Sequence, residues 1–375
     1  MPGETHSSLG LGLIGCGGFG RFCLEAYRKL PGIRPAAVAD VVRAAAEQLG
    51  ADFEVPAHGD PHELIARDDV DVVHVATPPS SHHELVLAAI GAGNHVLCEK
   101  PLAMNTAEAD EMLAAARSAG VIAAVNFVLR YNRVTDAVKA VLDSGAMGRP
   151  LAVRLTNCAS DSKLGPDHWF WDTSVSGGIF IEHGVHFFDL YRHWFGPGRV
   201  TAAHAETREG TTQEDRVTCT VRHNTGVVAS HYHGFDQVGP MDRTDHRVVC
   251  ELGDVRVQGW IPLTLRIDAA LDDVGAEALH ECFEDVEGVR FEQQPEVVET
   301  AGRGKPRRLT RRVQVEYTPQ PDKQAAYADS VVALLADQVA FIRNPSHPRV
   351  ITESNGVDAV RLAQAAAELA AASSR

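Results

Sequence analysis

The first thirty residues combine a strand, a glycine-rich turn and a helix in an order that few folds accommodate. An apolar segment, residues 9–15, precedes the turn, and a helical pattern follows over residues 22–30. The turn has the sequence Gly15-Cys16-Gly17-Gly18-Phe19-Gly20. This G-x-G-x-x-G pattern indicates dinucleotide binding when it follows a strand and opens a helix. Gly15 permits the tight turn, Gly17 lets the backbone approach a pyrophosphate, and Gly20 lets helix and strand pack closely. We therefore predict that the whole loop binds a dinucleotide, with its phosphates at the helix N-terminus.

An acidic residue stands at the spacing that selects the nucleotide. A second predicted strand, residues 34–39, ends in Asp40, which follows Gly20 by twenty residues. A carboxylate at this distance hydrogen-bonds the adenosine ribose and repels a 2′-phosphate, which favours NAD over NADP. Arg43 keeps NADP open as the alternative, because a nearby arginine can accommodate that phosphate.

Strands and helices continue to alternate up to residue 127, and residues 1–127 are predicted to form a dinucleotide-binding domain. Segments 70–76, 95–98 and 121–127 are apolar enough for buried strands. The alternation is typical of an α/β, doubly wound Rossmann sheet with about six parallel strands. Right-handed crossovers bring the carboxyl ends of all these strands to one edge. Five residues that follow strands should converge there: Gly15, Asp40, Thr77, Lys100 and Asn126.

One of these strand ends carries a charged pair. The strand 95–98 stops at Glu99-Lys100-Pro101, because proline lacks the N–H that would continue a sheet. Lysine is scarce, with six in the chain. Ligands bind at this edge of open α/β sheets, so we predict that Lys100 belongs to a ligand site. A solvated ion pair at the strand end is the alternative.

Residues 128–375 are predicted to form a second, α+β domain that binds substrate and forms the oligomer. Consecutive strands over residues 200–269, one of them spanning 247–258, have no helices between them. This arrangement indicates a large, open, mainly antiparallel sheet. The charged segment 285–312 is typical of a long hairpin loop or excursion, and a last strand is predicted over residues 313–317. Two helices close the chain, and the last is expected to pack back on the first domain: 323–343 and 354–372.

A helix predicted over residues 178–195 carries an acid, a histidine and a second acid. Glu182, His186 and Asp189 are four and three residues apart, which places them on one helix face. A carboxylate beside a histidine fixes its tautomer and raises its basicity, so the row is suited to acid–base chemistry. A hydrogen-bonded structural row is the alternative.

Other histidines and tryptophans have two interpretations each. His231 and His233 alternate on one strand, with His223 one strand earlier. Because no Cys or Glu partner stands at a recognisable spacing, we predict no metal site and expect these histidines at the sheet surface, in a pocket or subunit contact. Trp169 and Trp171 fit either a core or a flat surface for a sugar ring.

Composition bears on several classes of function. A net charge of −15 argues against nucleic-acid partners and anionic membranes. No apolar run approaches the ~20 residues that span a bilayer. Seven cysteines without a CxxC pair indicate reduced thiols. Residues 1–8 are polar and predict no secretory signal, hence a cytoplasmic protein.

The motifs together resemble the glucose–fructose oxidoreductase, inositol dehydrogenase and rhizopine-catabolism family, called Gfo/Idh/MocA. The motifs that carry the resemblance are the Gly15–Gly20 loop, Thr77-Pro78 with His82, Glu99-Lys100-Pro101, and Gly177-Gly178 followed by Glu182, His186 and Asp189. The resemblance implies an NAD-dependent dehydrogenase that moves a hydride from a secondary hydroxyl of a sugar, amino sugar, glycoside or inositol. It also implies a homodimer or homotetramer.

The resemblance implies roles for single residues. Lys100 would lie beside the nicotinamide and the reacting hydroxyl, and His186 would accept the hydroxyl proton. Glu182 stands where the family usually has aspartate and would orient His186. The Lys100–Pro101 bond would be cis. The remaining cofactor contacts would be Thr77, Pro78, His82, Glu99 and Asn126. The remaining substrate contacts would be Arg130, Tyr131 and Trp169.

Other functions fit the same motifs. One is a redox-neutral sugar enzyme that retains and recycles NAD. Another is a ketone or imine reductase that uses NADPH, against which Asp40 argues. A third is a non-catalytic NAD-binding regulator, against which the intact set of Lys100, Glu182 and His186 argues.

Overall fold

The structure is a computed structural model that describes residues 8–302 and 304–373. The prediction of no secretory signal rests mainly on residues 1–7, which lie outside the described residues. The strands are β1 (Leu9–Ile14), β2 (Ile33–Ala39), β3 (Ala57–His58), β4 (Val72–Val75), β5 (His95–Cys98), β6 (Ala123–Val125), β7 (Pro150–Ser160), β8 (Gly198–Thr207), β9 (Glu214–His223), β10 (Val228–Gln237), β11 (Arg243–Cys250), β12 (Gly253–Gln258), β13 (Thr264–Leu271), β14 (Val289–Gly302) and β15 (Lys305–Tyr317). The α-helices are α1 (Gly18–Tyr27), α2 (Arg43–Phe53), α3 (Pro61–Ile65), α4 (His82–Gly91), α5 (Thr106–Ala119), α6 (Arg133–Ser144), α7 (Thr173–Ser176), α8 (Val185–Phe195), α9 (Asp273–Glu281), α10 (Lys323–Arg343) and α11 (Glu353–Ser373).

Contacts divide the chain into two compact units. Unit 1 comprises Met1–Val128, Trp169–Asp189 and Ala328–Gln364, and unit 2 comprises the segments Leu129–His168, Leu190–Tyr327 and Ala365–Arg375. The first segment of unit 1 ends one residue after the predicted domain boundary. Two later segments lie in the predicted second domain but belong to unit 1 by their contacts.

Unit 1 is built on a parallel sheet. Within the described residues this sheet has six strands in the order β3-β2-β1-β4-β5-β6, and every neighbouring pair is parallel. The strand order reverses between β1 and β4, which is where doubly wound sheets bind ligands. The prediction of a doubly wound sheet with about six parallel strands is confirmed.

The strands of this sheet end in register. Ile14 pairs with both Ala39 and Val75, Val75 pairs with Cys98, and Cys98 pairs with Val125. The residues that follow these strand ends therefore line one edge, and that edge positions the site described below.

The late segments of unit 1 pack beside this sheet. The backbone N–H of Thr106 at the start of α5 donates to Gln364 Oε1 of α11 at 2.8 Å, as expected for a last helix that packs back. By length and composition alone α10 could cross a membrane. Its residues Val331, Leu334 and Leu335 are fully buried in the protein.

Unit 2 contains a larger sheet. Its nine described strands follow the order β14-β15-β13-β12-β11-β7-β10-β9-β8. The β7–β10 pair is parallel, and the other pairs are antiparallel, so a mainly antiparallel sheet is confirmed. The segment 285–312, predicted as a long hairpin loop or excursion, lies mainly in a hairpin whose two arms are the strands β14 and β15.

Two predictions about unit 2 are wrong. The single strand 247–258 is two strands, β11 and β12, that pair with each other. Buried residues alternate within each strand, at positions 248 and 250 and then at 255 and 257, and the change from even to odd positions marks the turn. His231 and His233 do not lie at the surface but are 1% and 0% exposed. The side of the sheet on which they lie is buried and faces Tyr191 of α8, whose ring centre is 5.0 Å from that of His231.

Candidate active site

The glycine loop has the geometry of a phosphate cradle. Gly15 has a φ of +100°, and a Cβ there would lie 2.3 Å from the carbonyl oxygen of Ala76. A Cβ at Gly20 would lie 2.0 Å from the carbonyl oxygen of Gly15. Helix α1 begins at Gly18 without a side-chain cap and without an acidic residue in its first turn. Its first N–H groups therefore remain suited to an anion. Phe19, in the same turn, is half-buried.

Asp40 is held against this loop. Its Oδ2 accepts the backbone N–H of Cys16 at 2.8 Å, and its Oδ1 accepts the N–H of Val42 at 2.8 Å. Arg43 is exposed, and its Nε lies 2.9 Å from Glu47 Oε1. The carboxylate is thus fixed at the end of β2, whereas the nearby guanidinium is already paired.

The segment that follows β4 is held by a buried histidine. The His82 ring is 0% exposed. Its Nδ1 lies 2.7 Å from the carbonyl oxygen of Pro101, and its Nε2 lies 2.8 Å from the carbonyl oxygen of Thr77. Burial lowers the pKa of His82, and the two carbonyls oppose this effect. His82 therefore links the loop at Thr77 and Pro78 to the loop at Lys100, and its predicted contact with a cofactor stays a prediction.

Lys100 lies at the end of β5 and is paired across the site. Its Nζ donates to the carboxylate of Glu182 and to the carbonyl oxygen of Glu182 at 2.9 Å. Both side chains are largely buried, with 17% and 11% exposed. The expected cis bond between Lys100 and Pro101 is confirmed. Sequence reasoning paired Glu182 with His186, whereas its described contacts are with Lys100.

The segment that supplies Glu182 and His186 is helical, as predicted over residues 178–195, but it is not one regular α-helix. Phe180–Gly184 form a π-helical turn, and α8 follows directly. A π-turn closes with i→i+5 bonds, which rotates Glu182 relative to His186 compared with an α-helix, and such turns are frequent at functional sites. Gly177 and Gly178, both with positive φ, allow the sharp entry.

His186 and its neighbour His183 are both placed near the strand ends. The His186 ring is 4% exposed, and its centre lies 6.4 Å from the ring of Phe127, which follows Asn126. The His183 ring lies 6.2 Å from that of His186. Burial, and secondly the charge of Lys100, lower the pKa of His183 to about 3. Sequence reasoning gave His183 no role, because its position lies outside the 182–186–189 row.

Glu99 and Asn126 form a buried pair at neighbouring strand ends. Asn126 Nδ2 donates to Glu99 Oε1 at 2.6 Å, and His74 Nε2 lies 2.9 Å from the same oxygen. Asn126 Oδ1 is buried and has no hydrogen-bond partner within residues 8–302 and 304–373. A buried acceptor without a partner is costly, so this atom is suited to a ligand donor.

The predicted substrate residues lie in different parts of the structure. Trp169 belongs to unit 1 and is half-buried, whereas Trp171 is 7% exposed and belongs to the core. Arg130 and Tyr131 belong to unit 2. Arg130 is buried, and its Nη1 lies 3.5 Å from His193 Nδ1.

Known proteins resemble this chain over most of its length. A family described as "Oxidoreductase family, NAD-binding Rossmann fold" matches residues 9–127, and the "GFO/IDH/MocA C-terminal domain" matches residues 135–256. Inositol 2-dehydrogenase 4 from Saccharopolyspora erythraea is 30% identical over 274 residues, which cover 71% of this chain and 78% of that protein. The chain belongs to the Gfo/Idh/MocA oxidoreductase family.

Two further proteins show how far the similarity extends. Myo-inositol 2-dehydrogenase from Thermotoga maritima is 35% identical over 190 residues, 50% of this chain and 54% of that protein. The chain thus spans about half the length of this family member in the match. A levoglucosan dehydrogenase in complex with NADH and L-sorbose superposes with a TM-score of 0.77 at 22% identity, covering 98% of this chain and 97% of that one. This likeness shows the shared fold.

Three features of this chain fit the NAD cofactor of the family. A Cβ at Gly17 or Gly18 would meet nothing within 4 Å, so the loop leaves room for a phosphate. The start of α1 offers uncapped N–H groups. Asn126 Oδ1 is an acceptor that needs a donor. Helix α1, β2, β5 and β6 thus bring groups suited to the two ends of a dinucleotide to one sheet edge.

Proposed function

We propose that the protein is an NAD-dependent dehydrogenase that oxidises a secondary hydroxyl of a sugar, amino sugar, glycoside or inositol. The observation that carries this proposal is the pairing of Lys100, at the carboxyl end of β5, with Glu182. It joins a donor at the ligand edge of the sheet to the segment that supplies His186. The names of relatives that act on inositol support the substrate class.

The pairing leaves Lys100 one donor for a substrate. An ammonium has three N–H groups. Two of them are directed to the carboxylate and the carbonyl oxygen of Glu182. The third is proposed to bind the reacting hydroxyl oxygen and to stabilise the negative charge that develops on it. Glu182 thereby acts as the residue that holds Lys100 in position.

His186 is the proposed proton acceptor. Oxidation of a secondary alcohol removes a hydride from the carbon and a proton from the oxygen. Bound NAD⁺ would accept the hydride. A neutral imidazole nitrogen can accept a proton, so His186 is suited to take the proton of the hydroxyl. The neighbouring His183, whose pKa is about 3, stays neutral at pH 7 and adds no competing charge.

We also propose that NAD is preferred over NADP. The Asp40 carboxylate is fixed by two backbone N–H groups and would face a 2′-phosphate with negative charge. Arg43, which could otherwise accommodate that phosphate, is paired with Glu47. An NADPH-dependent reductase is therefore less favoured than an NAD-dependent dehydrogenase.

The test is an absorbance assay at 340 nm with NAD⁺ or NADP⁺ and a panel of inositols, hexoses, amino sugars and glycosides. We expect a rise with NAD⁺ and one group of polyols, its loss in Lys100→Ala, and its retention in Lys139→Ala. Lys139 is a matched control, since it pairs with Asp143 four residues on along α6. Turnover that survives in Lys100→Ala would contradict the role of Lys100.

Silence across the panel would point to the other functions. NAD released on denaturation of the purified protein would favour a redox-neutral enzyme that recycles its cofactor. Reversible NAD binding without any turnover would favour a non-catalytic regulator.

We further propose a homodimer or homotetramer. The large sheet of unit 2 has an exposed side, on which Arg154, Arg247 and Arg256 lie opposite one another on neighbouring strands. Asp254 already pairs with Arg247 and Arg256. The support for this proposal is therefore the exposed side itself, which also carries Val228 and Val249. Light scattering that gives the mass of a single chain would contradict this proposal.

A further inference from the structure

A buried histidine without a role in the proposed reaction lies in the middle of the parallel sheet. His74 is in β4 between Val73 and Val75 and is 0% exposed. Its neighbours across the sheet are Leu13 and Leu97. A polar ring among apolar residues costs free energy unless its nitrogens are hydrogen-bonded. Its hydrogen bonds therefore indicate what it does.

His74 connects helix α1 to the end of β5. Its Nδ1 lies 3.5 Å from the Tyr27 hydroxyl, and its Nε2 lies 2.9 Å from Glu99 Oε1. A neutral ring with its proton on Nε2 donates to Glu99 and accepts from Tyr27, so one tautomer satisfies both contacts. Glu99 Oε1 thus receives donors from His74 and, at 2.6 Å, from Asn126.

These bonds fix which groups are left for a ligand. Because Asn126 Nδ2 is committed to Glu99, the amide cannot flip, and Oδ1 must face away from the carboxylate. Oδ1 has no partner within the described part of the chain. The Glu99 side chain remains 11% exposed. A carboxylate and an amide oxygen are both acceptors, so together they require a ligand that donates.

We propose that His74 is a positioning residue that holds Glu99 and Asn126 as an acceptor pair for the carboxamide NH2 group of the nicotinamide. The inference rests on the proposed function only in requiring NAD at this sheet edge. It adds that the site selects the nicotinamide end of the cofactor, and that His74 supports this selectivity without contacting the cofactor. Without the Nε2 donor, the Glu99 carboxylate would lose one of the two hydrogen bonds described above, and with it a fixed orientation.

The test compares three nucleotides by calorimetry. NAD⁺ has the carboxamide NH2, 3-acetylpyridine adenine dinucleotide replaces it with a methyl ketone, and ADP-ribose lacks the nicotinamide but keeps the ribose hydroxyls. His74→Leu removes the donor, whereas the amide of His74→Gln can replace Nε2. His95→Leu is the matched control, because His95 begins β5 at the opposite end from Glu99 and its Nδ1 accepts the N–H of Ile122.

We expect His74→Leu to weaken NAD⁺ binding about 10-fold, the size of a lost hydrogen bond to a charged group. ADP-ribose binding should not change, and the advantage of NAD⁺ over the acetylpyridine analogue should disappear. His74→Gln should restore most of that advantage, and His95→Leu should keep it.

Equal weakening of NAD⁺ and ADP-ribose would overturn the proposal, as would an unchanged advantage over the acetylpyridine analogue in His74→Leu. If His74→Leu does not fold, Asn126→Ala decides, because removal of Oδ1 must erase the same advantage and its persistence overturns the proposal. None of these measurements uses a sugar, so a negative dehydrogenase assay leaves their outcome intact.

Discussion

Both units bury histidines, but the surroundings of these histidines differ between the units. At the strand edge of unit 1, buried polar groups are paired, Lys100 with Glu182 and His74 with Glu99. In unit 2, four histidines lie among aromatic rings, and we call them the histidine cluster: His223, His231, His233 and His246, which are 0–3% exposed. Burial lowers the pKa of His246 to about 3 and that of His231 well below its usual value.

This difference suggests that the paired groups of unit 1 serve function, whereas the histidine cluster of unit 2 serves stability. Paired charges at the edge of a parallel sheet keep donors and acceptors in fixed directions, which suits binding and catalysis. Neutral rings packed on Tyr191 and Phe195 contribute burial instead, and they must stay uncharged to do so. We therefore expect substitutions at the edge to change activity, and acid to destabilise unit 2.

The largest effect is expected for His186→Asn. Loss of the proton acceptor should lower kcat about 1,000-fold, within the range of general base catalysis, while NAD⁺ affinity is kept. Steady-state rates and calorimetry measure the two. His193→Asn, on the same helix, is the control and should keep most of the rate. An equal loss in both variants would show that the helix, and not the His186 imidazole, is what matters.

The next effect concerns the charge pair itself. Glu182→Gln leaves a largely buried ammonium without its carboxylate, which should cost about 3 kcal/mol of unfolding free energy. Glu182→Asp keeps the charge and should recover part of that loss. Urea unfolding of both variants measures the difference. A Gln variant as stable as wild type would mean that the pair contributes nothing beyond a solvated surface contact.

Much of the edge could be predicted, because it depends on local patterns. Gly15, Asp40 and Lys100 each follow a strand, and parallel strands in register bring their ends together. The sequence could not predict that Glu182 contacts Lys100, since this depends on a π-turn in which side chains do not follow α-helical spacing. The role of His74 could not be predicted either, because this histidine occupies a position in a buried strand where the pattern calls for an apolar residue.

The histidine cluster was misplaced because alternation along a strand gives two faces but does not say which one is covered. His231 and His233 share a face, as predicted, but that face is the buried one. The turn between β11 and β12 is marked by a shift of the buried positions from 248 and 250 to 255 and 257, which a single strand over 247–258 does not take into account. For the histidine cluster the deciding contacts are made by residues distant in the sequence, such as Tyr191.

The histidine cluster should make the protein acid-sensitive. His246 has a folded pKa of about 3, below the unfolded value, so the unfolded chain binds the proton more tightly. Stability is therefore full above about pH 6.5 and is lost as the pH falls towards 3. His246 alone should contribute about 2 kcal/mol of loss between pH 7 and pH 5. Urea unfolding at the two pH values measures this loss.

The matched variants separate charge from packing. His246→Asn can still accept from the Tyr191 hydroxyl, which lies 2.9 Å from His246 Nδ1, but it cannot titrate. Its pH-dependent loss should be smaller than that of wild type. Val248→Ala, a buried neighbour on the same strand, should lower stability equally at both pH values. An unchanged pH dependence in His246→Asn would assign the acid sensitivity to other groups.

The smallest effect is expected at Asp40, where the charge is held by backbone and not by a paired side chain. Asp40→Asn keeps an acceptor for the N–H of Cys16 but removes the repulsion of a 2′-phosphate. The preference for NAD⁺ over NADP⁺, measured as a ratio of dissociation constants, should fall about 10-fold. Glu47→Gln alone should change it little, since the Asp40 carboxylate still repels the 2′-phosphate. In the double variant the released Arg43 should lower the ratio further, and a ratio equal to that of Asp40→Asn would show that Arg43 does not reach the phosphate position.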